Sequence, residues 1–226
     1  MANDAEKEVA ARASLKYIHD GQIVGLGTGS TATIAIRLLG ERVRAGLKIH
    51  GIPTSIASRD LATQLGIPLT TFDEVQQIDV TIDGADEFDP ALNLIKGGGG
   101  AMLREKIVAS SSKQLVIVTD SSKQVPVLGR FPLPLEVIGF AEPLIAKRVS
   151  DLGAKVVRRQ DASGKPYLTD EGHHILDCHF GQIPNPPALA RTLSDMPGIV
   201  EHGLFVGMAS VLLMAKAGEV EEFRQR

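Results

Sequence analysis

The sequence contains no tryptophan, two tyrosines and a single cysteine. Aromatic residues make up only 4% of the chain and the formal net charge is −3, so both a base-stacking platform and the basic surface of a phosphate-backbone binder are missing. Nucleic acid is therefore not an expected partner. Cys178 has no second cysteine to pair with. That suits a reducing compartment, and a small residue in an apolar strand reads as packing. The longest uncharged apolar run, Gly203 to Ala215, is shorter than the roughly 18 residues of a membrane-crossing helix. The opening stretch carries Asp4, Glu6 and Glu8 and lacks the apolar segment of an export signal. Neither a membrane nor secretion is implied, and the cytoplasm is the expected location.

What the chain does have is 226 residues, 43% hydrophobic and 23% charged, with 23 glycines. At about 150 residues per domain this lies between one domain and two, with ordinary globular chemistry. Glycine is the surplus, so backbone rather than aromatic surface is the expected recognition element. The first half alternates helical and strand periods. Helices are expected near 4–19, 31–44, 58–65 and 101–110, and strands near 23–26, 48–52, 78–82, 92–95 and 115–118. Strands separated by helices read as βαβ units, giving an α/β fold with a Rossmann-like, doubly wound, mostly parallel sheet.

Between Pro126 and Pro134 the texture changes to prolines and a glycine, a domain boundary signal. Beyond it the expected order is a strand at 135–139, a helix starting near Pro143 and stopping before Gly153, and a strand at 155–158. A hairpin through 167–180, a helix at 187–194 and a strand at 199–201 follow. This βαββαβ order is that of a smaller ferredoxin-like α+β domain. Residues 130–203 then form an insert, and residues 1–129 with 204–226 form the larger domain, the apolar run from Leu204 to Met214 rejoining the first sheet.

Three clusters carry the chemistry. The first, Gly25-Leu26-Gly27-Thr28-Gly29-Ser30-Thr31-Ala32, lies between a strand and a helix, where glycines let the backbone approach a phosphate at a helix N-terminus. It is not a dinucleotide site, because the end of the second strand reads Gly51-Ile52-Pro53-Thr54-Ser55 without the acid that holds a ribose. It is not a Walker loop either, because no lysine precedes Ser30. A cradle for the terminal phosphate of a small metabolite remains, beside the plainer reading of a tight turn with a capping hydroxyl.

The second cluster, Asp83-Gly84-Ala85-Asp86-Glu87, ends a strand, where carboxylates can converge on a polyhydroxylated ligand. With Asp89 it also invites comparison with a calcium loop, but Ala85 and the residue order disagree with that. The third is Lys96-Gly97-Gly98-Gly99-Gly100 running into Arg104-Glu105-Lys106. Four successive glycines disfavour order, so a loop that hugs a ligand explains them better than a plain connector. The histidine-rich stretch 173–179 splits its ligands between two strand faces, which argues against zinc.

Taken together, Gly27-Thr28-Gly29-Ser30-Thr31, Asp83-Gly84-Ala85-Asp86-Glu87 and Lys96-Gly97-Gly98-Gly99 leading to Glu105 closely resemble ribose-5-phosphate isomerase of type A, along essentially the whole chain. The resemblance includes Lys123-Gln124-Val125 and the segment from Phe131 to Val137. It implies interconversion of ribose 5-phosphate and ribulose 5-phosphate in the pentose phosphate pathway, without a cofactor or metal, by a homodimer or higher homo-oligomer. It makes Glu105 the base that moves a proton between C1 and C2, and Asp83 the group that handles hydroxyl protons, with Asp86 on the substrate. Lys96 and the loop of Gly97, Gly98 and Gly99 would stabilise the enediolate oxygens. Lys7, Ser30 and Thr31 would hold the phosphate, flanked by Thr28 and Gly29, with Gly84 and Ala85 lining the substrate and Lys123 adding positive charge. Gly100 departs from the pattern, where a small residue such as alanine is expected.

The residue types suit that chemistry on their own terms. Removing a proton beside a carbonyl creates an oxyanion, which a preorganised cation and backbone N–H groups stabilise. A remote phosphate supplies binding energy for positioning. Two other readings stay open at this point: an amino-sugar-phosphate deaminase of similar fold, and a non-catalytic sugar-phosphate sensor.

Overall fold

The computed structural model describes residues 2–225. In chain order its elements are α1 (Ala2–Ser14), β1 (Ile23–Leu26), α2 (Ser30–Arg44), β2 (His50–Pro53), α3 (Ile56–Gln64), β3 (Ile78–Asp83), β4 (Glu87–Phe88), β5 (Leu94–Ile95), α4 (Met102–Ser110) and β6 (Ser112–Asp120). They continue with β7 (Leu133–Val137), α5 (Glu142–Asp151), β8 (Lys155–Arg158), β9 (His174–His179), α6 (Pro186–Ser194), β10 (Ile199–His202), β11 (Leu204–Phe205), β12 (Val211–Lys216) and β13 (Glu219–Arg224). Short 3-10 turns occupy Leu15–Tyr17, Ser121–Lys123 and Gly139–Ala141.

The chain divides into two compact units. The first takes the chain up to Ala85, Arg104–Lys123 and the chain from Gly207; the second takes Asp86–Leu103 and Gln124–Val206. Residues 86–103 thus sit with the second unit rather than with the 1–129 segment, because β4 pairs antiparallel with β5 and β5 in turn with β11.

The first unit is built on a six-stranded sheet in the order β13-β12-β6-β3-β1-β2. All pairs are parallel except β12 with β13. The middle of β6 (Leu115 to Val118) and most of β12 (Val211 to Ala215) are continuous buried apolar runs, as expected of strands covered on both faces. On α2, Ala35, Ile36, Leu38 and Leu39 recur at helical spacing and are buried with Val24, Val80, Val116 and Leu213 from the strands. Val108 of α4 packs instead with Ile52 and Ile78. The hairpin to β13 turns on Ala217 and Gly218, both at positive φ, the geometry of a two-residue loop. Its Glu- and Arg-rich sequence lacks strand alternation, which is why the sequence did not mark it.

The second unit has a four-stranded antiparallel sheet in the order β10-β7-β9-β8, with the βαββαβ succession of a ferredoxin-like fold. The stretch 167–180 supplies one strand, β9, whose hairpin partner is β8; Leu168 touches His174 only through an isolated bridge. Pro143 sits in the first turn of α5, and Asn185 caps α6 by accepting the Ala188 N–H at 3.1 Å. Leu133, Leu135 and Val137 point to a core with Ile145, Val149 and Leu193 from the two helices. Among the described residues, no helix is long and apolar enough to cross a membrane.

Candidate active site

Numbered by succession, the parallel strands of the first unit run 2-1-3-4-5, so the order reverses between β1 and β3. Loops leaving the C-terminal ends of the strands at such a switch point diverge, and ligands of open α/β sheets bind there. β1 delivers Gly27, Thr28 and Gly29 to the start of α2, and β3 ends on Asp83. The Gly27 N–H donates to the Ile82 carbonyl at 3.0 Å, holding the loop against β3. A Cβ on Gly27 would lie 2.6 Å from the Asp83 Cα, so only glycine fits.

Asp83 is fully buried. Its Oδ1 accepts the N–H of Thr28 at 3.1 Å and of Gly84 at 2.7 Å, which locks the carboxylate's orientation. The Thr28 hydroxyl lies 2.7 Å from that of Thr54 and 2.8 Å from that of Ser55, two residues just past β2 that sequence reasoning passed over. Gly29, at φ 102°, occupies the N-cap of α2 and leaves its first turn without a side-chain cap, with Ser30 exposed. An uncapped helix start of this kind offers N–H donors and a favourable dipole to an anion. Thr31 is buried, and Gly84 and Ala85 are half-buried. Glu105 lies in the first turn of α4 and is 4% exposed.

Two lysines of the phosphate assignment also belong to this unit. Lys7 is on α1, its Nζ 3.5 Å from Asp4; Lys123 ends the 3-10 turn after β6. Their elements are tied together by Glu6, which accepts the Ser121 N–H at 3.0 Å, the Ser121 hydroxyl at 2.8 Å and the Ala217 N–H at 3.1 Å. These donors hold the Glu6 carboxyl below its usual range.

In the second unit, Lys96 follows β5 and is 2% exposed. Its N–H donates to the Gly203 carbonyl at 2.9 Å, and its ammonium lies 5.5 Å from the centre of the Phe205 ring. The glycines then form a tight turn closed by the Gly100 N–H on the Gly97 carbonyl at 2.9 Å. The Gly98 N–H donates to Asp86 Oδ2 at 2.7 Å, which brings Asp86 to the turn. Gly98 and Gly99 are exposed. Gly100 has φ 78°, and a Cβ there would meet the Tyr167 hydroxyl at 2.5 Å. The fourth glycine therefore answers a local backbone and steric demand.

The acidic cluster separates in space. Glu87 accepts the N–H groups of Gly129 at 2.8 Å and Phe131 at 2.6 Å, while Asp89 accepts those of Ala91 and Asn93, both at 2.9 Å. Glu87 and Asp89 hold loops of the second unit, as Asp86 does through Gly98, while Asp83 holds Thr28 and Gly84 in the first. On the histidine-rich strand, His173 meets Glu136 at 2.9 Å and His174 meets Glu142 at 2.5 Å. Cys178 is buried, and burial together with the nearby Asp177 charge pushes its thiol up to about 12. Arg159 and Tyr167, which contact the glycine turn, carry no sequence motif, and Asp177, which pairs with Arg159, is marked in the sequence only as part of the histidine-rich stretch.

Residues 50–219 match the family model of ribose 5-phosphate isomerase A, also described as phosphoriboisomerase A. The chain belongs to this family. Ribose-5-phosphate isomerase A of Nitrobacter hamburgensis is 51% identical over 232 residues, covering 100% of both chains. That of Bradyrhizobium diazoefficiens is 49% identical over 236 residues, covering 100% of this chain and 98% of the relative. Among solved structures, a D-ribose-5-phosphate isomerase in complex with phospho-erythronic acid superposes with a TM-score of 0.96 at 37% identity, covering 99% of this chain and 100% of the other. Ribose 5-phosphate isomerase A from Methanocaldococcus jannaschii gives a TM-score of 0.92 at 40% identity, with 98% of each chain covered. Isomerases of this family therefore share the α/β architecture of this chain throughout.

Proposed function

We propose that this chain interconverts ribose 5-phosphate and ribulose 5-phosphate through an enediolate, as an aldose-ketose isomerase of the pentose phosphate pathway. Family membership supports the activity. The observation that carries the site is the meeting, at the β1/β3 switch point, of the uncapped α2 start with the buried and oriented Asp83. One end of such a site suits a phosphate dianion, and the other suits hydroxyl protons.

In this reading Ser30 and Thr31, with Lys7 and Lys123, hold the phosphate and so place the sugar carbons. Asp83 moves hydroxyl protons, first in ring opening and then between O1 and O2. Glu105 removes the C2 proton of the open aldehyde; the C–H electron pair forms the C1–C2 double bond and the carbonyl electrons pass to O1. Returning the proton to C1 gives the ketose. The Lys96 ammonium and the N–H groups of the glycine turn stabilise the oxygen that gains charge, a term worth roughly 10²–10³ in rate per donor in comparable sites. Asp86, fixed on the Gly98 N–H, contacts the substrate. Lys96 and Glu105 are joined by only the glycine turn and the start of α4, so a short chain segment carries both groups.

We place the protein in the cytoplasm as a homodimer or higher homo-oligomer. Exposed Ile138, Phe140 and Leu144 on the second unit support self-association. Light scattering of the purified chain tests the assembly.

The activity is tested by following ribulose 5-phosphate formation from ribose 5-phosphate, with and without exhaustive chelation. Turnover that survives chelation is expected. Ammonia release from an amino-sugar phosphate would favour a deaminase, and tight binding of ribose 5-phosphate without turnover would favour a sensor.

A further inference from the structure

The glycine turn is gripped from one side by residues that no motif marks. Arg159 follows β8, and its backbone is pinned by its N–H on the Ile175 carbonyl at 2.8 Å and its carbonyl on the Tyr167 N–H at 3.0 Å. Its side chain meets Asp177 of β9 twice, Nε to Oδ2 at 3.0 Å and Nη2 to Oδ1 at 2.5 Å, a bidentate pair that fixes the guanidinium plane. Nη1 then donates to the carbonyls of Gly97 at 3.0 Å and Gly98 at 3.1 Å. Four of the five guanidinium N–H donors are thereby used. The Tyr167 ring lies 5.9 Å from the guanidinium carbon, and its hydroxyl reaches the Gly99 carbonyl at 3.4 Å.

A trans peptide directs its N–H opposite to its carbonyl, and the described residues contain no cis bond. Holding the Gly97 carbonyl toward Arg159 turns the Gly98 N–H away from it, and that N–H is found on Asp86. Gly99 is exposed, and holding the Gly98 carbonyl turns its N–H away in the same manner. A cation on a peptide oxygen also polarises the peptide and strengthens its N–H as a donor. Glycine has the most conformational freedom of any residue, so without these contacts the turn would sample many orientations.

We infer that Arg159, anchored by Asp177, is a positioning residue for the isomerisation: it sets the peptide planes of the glycine turn so that the Gly99 N–H faces the oxygen that becomes negative. Lysine cannot replace it, because a single ammonium does not serve a bidentate carboxylate and two carbonyls in one plane. The inference rests on the isomerase reading, and its test separates the two.

The variants are Arg159→Met, Arg159→Lys and Asp177→Asn in the full chain. Arg159→Met is expected to lower kcat about 100-fold with KM changed less than about threefold, since misplacing a group that acts in the transition state costs on that order. Affinity for phospho-erythronic acid, whose carboxylate carries negative oxygens, falls in parallel, while affinity for inorganic phosphate is unchanged. Arg159→Lys recovers only part of the loss. Asp177→Asn gives the same pattern about 10-fold in size, and it serves if Arg159→Met does not fold. Amide hydrogen exchange over 97–100 speeds up in these variants whether or not the protein isomerises. A wild-type chain without isomerase activity would overturn the isomerase reading, leaving the clamp itself to be judged by exchange. Unchanged exchange would overturn the clamp. A loss confined to KM, or an equal loss of phosphate affinity, would overturn the positioning role.

Discussion

Asp83 and Gly27 define each other's geometry: the Asp83 backbone occupies the space of a Gly27 side chain, and its carboxylate takes the N–H of the next residue, Thr28. A methyl group at position 27 must push β1 and β3 apart or displace Asp83. Gly27→Ala is expected to cost about 1–3 kcal/mol, the usual toll of overpacking, and to lower kcat as well. Thermal denaturation and steady-state kinetics on the same sample check both effects.

Glu105 is buried in the first turn of α4, where an amide of equal size fits but cannot take a proton. Glu105→Gln is expected to keep the melting temperature near that of wild type while kcat falls about 10³-fold, within the range of general-base contributions. Near-normal turnover would remove Glu105 from its assigned role.

Glu6 titrates below its ordinary value of 4.5 in the folded chain because three donors favour its charged form. A depressed carboxylate stabilises fully above 4.5, and that contribution is lost as pH falls from there through the lower folded value. Glu6→Gln should therefore be less stable than wild type at neutral pH, and the gap should narrow on acidification below 4.5. Urea melts at a series of pH values measure it; a gap that widens in acid would contradict the assignment.

Cys178, buried and raised to about 12, holds its thiol protonated at pH 8, with a thiolate fraction of about one in ten thousand. Iodoacetamide is expected to leave the native protein unmodified at that pH and to label it after denaturation. Mass spectrometry reads the difference, and rapid native labelling would show that the strand opens.

Much of the first unit was legible because its signals are local. Gly27-x-Gly29 after an apolar run announces a strand, a close approach and a helix start, and each of these is a property of adjacent residues. The same is true of Pro143 at the start of α5. The acidic cluster was harder to read, since Asp83, Asp86, Glu87 and Asp89 are chemically alike and lie within seven residues. Only the partners tell them apart, and those of Glu87 are near residue 130. Strand β13 escaped notice because an edge strand rich in charge carries no alternation, and its register comes from the Ala217-Gly218 turn.

The amino-acid sequence by itself determined the α/β class, the ferredoxin-like succession of the second part and the three clusters that mark the family, because turn chemistry, helical spacing and glycine placement act over a few residues. The tertiary structure alone decided which backbone N–H groups each carboxylate of the acidic cluster accepts. It also decided that Thr54 and Ser55 back Thr28, and that Arg159 holds a turn some sixty residues earlier in the chain. Those relationships depend on strand order and on where side chains meet across elements, and no pattern along the chain encodes a meeting at that distance.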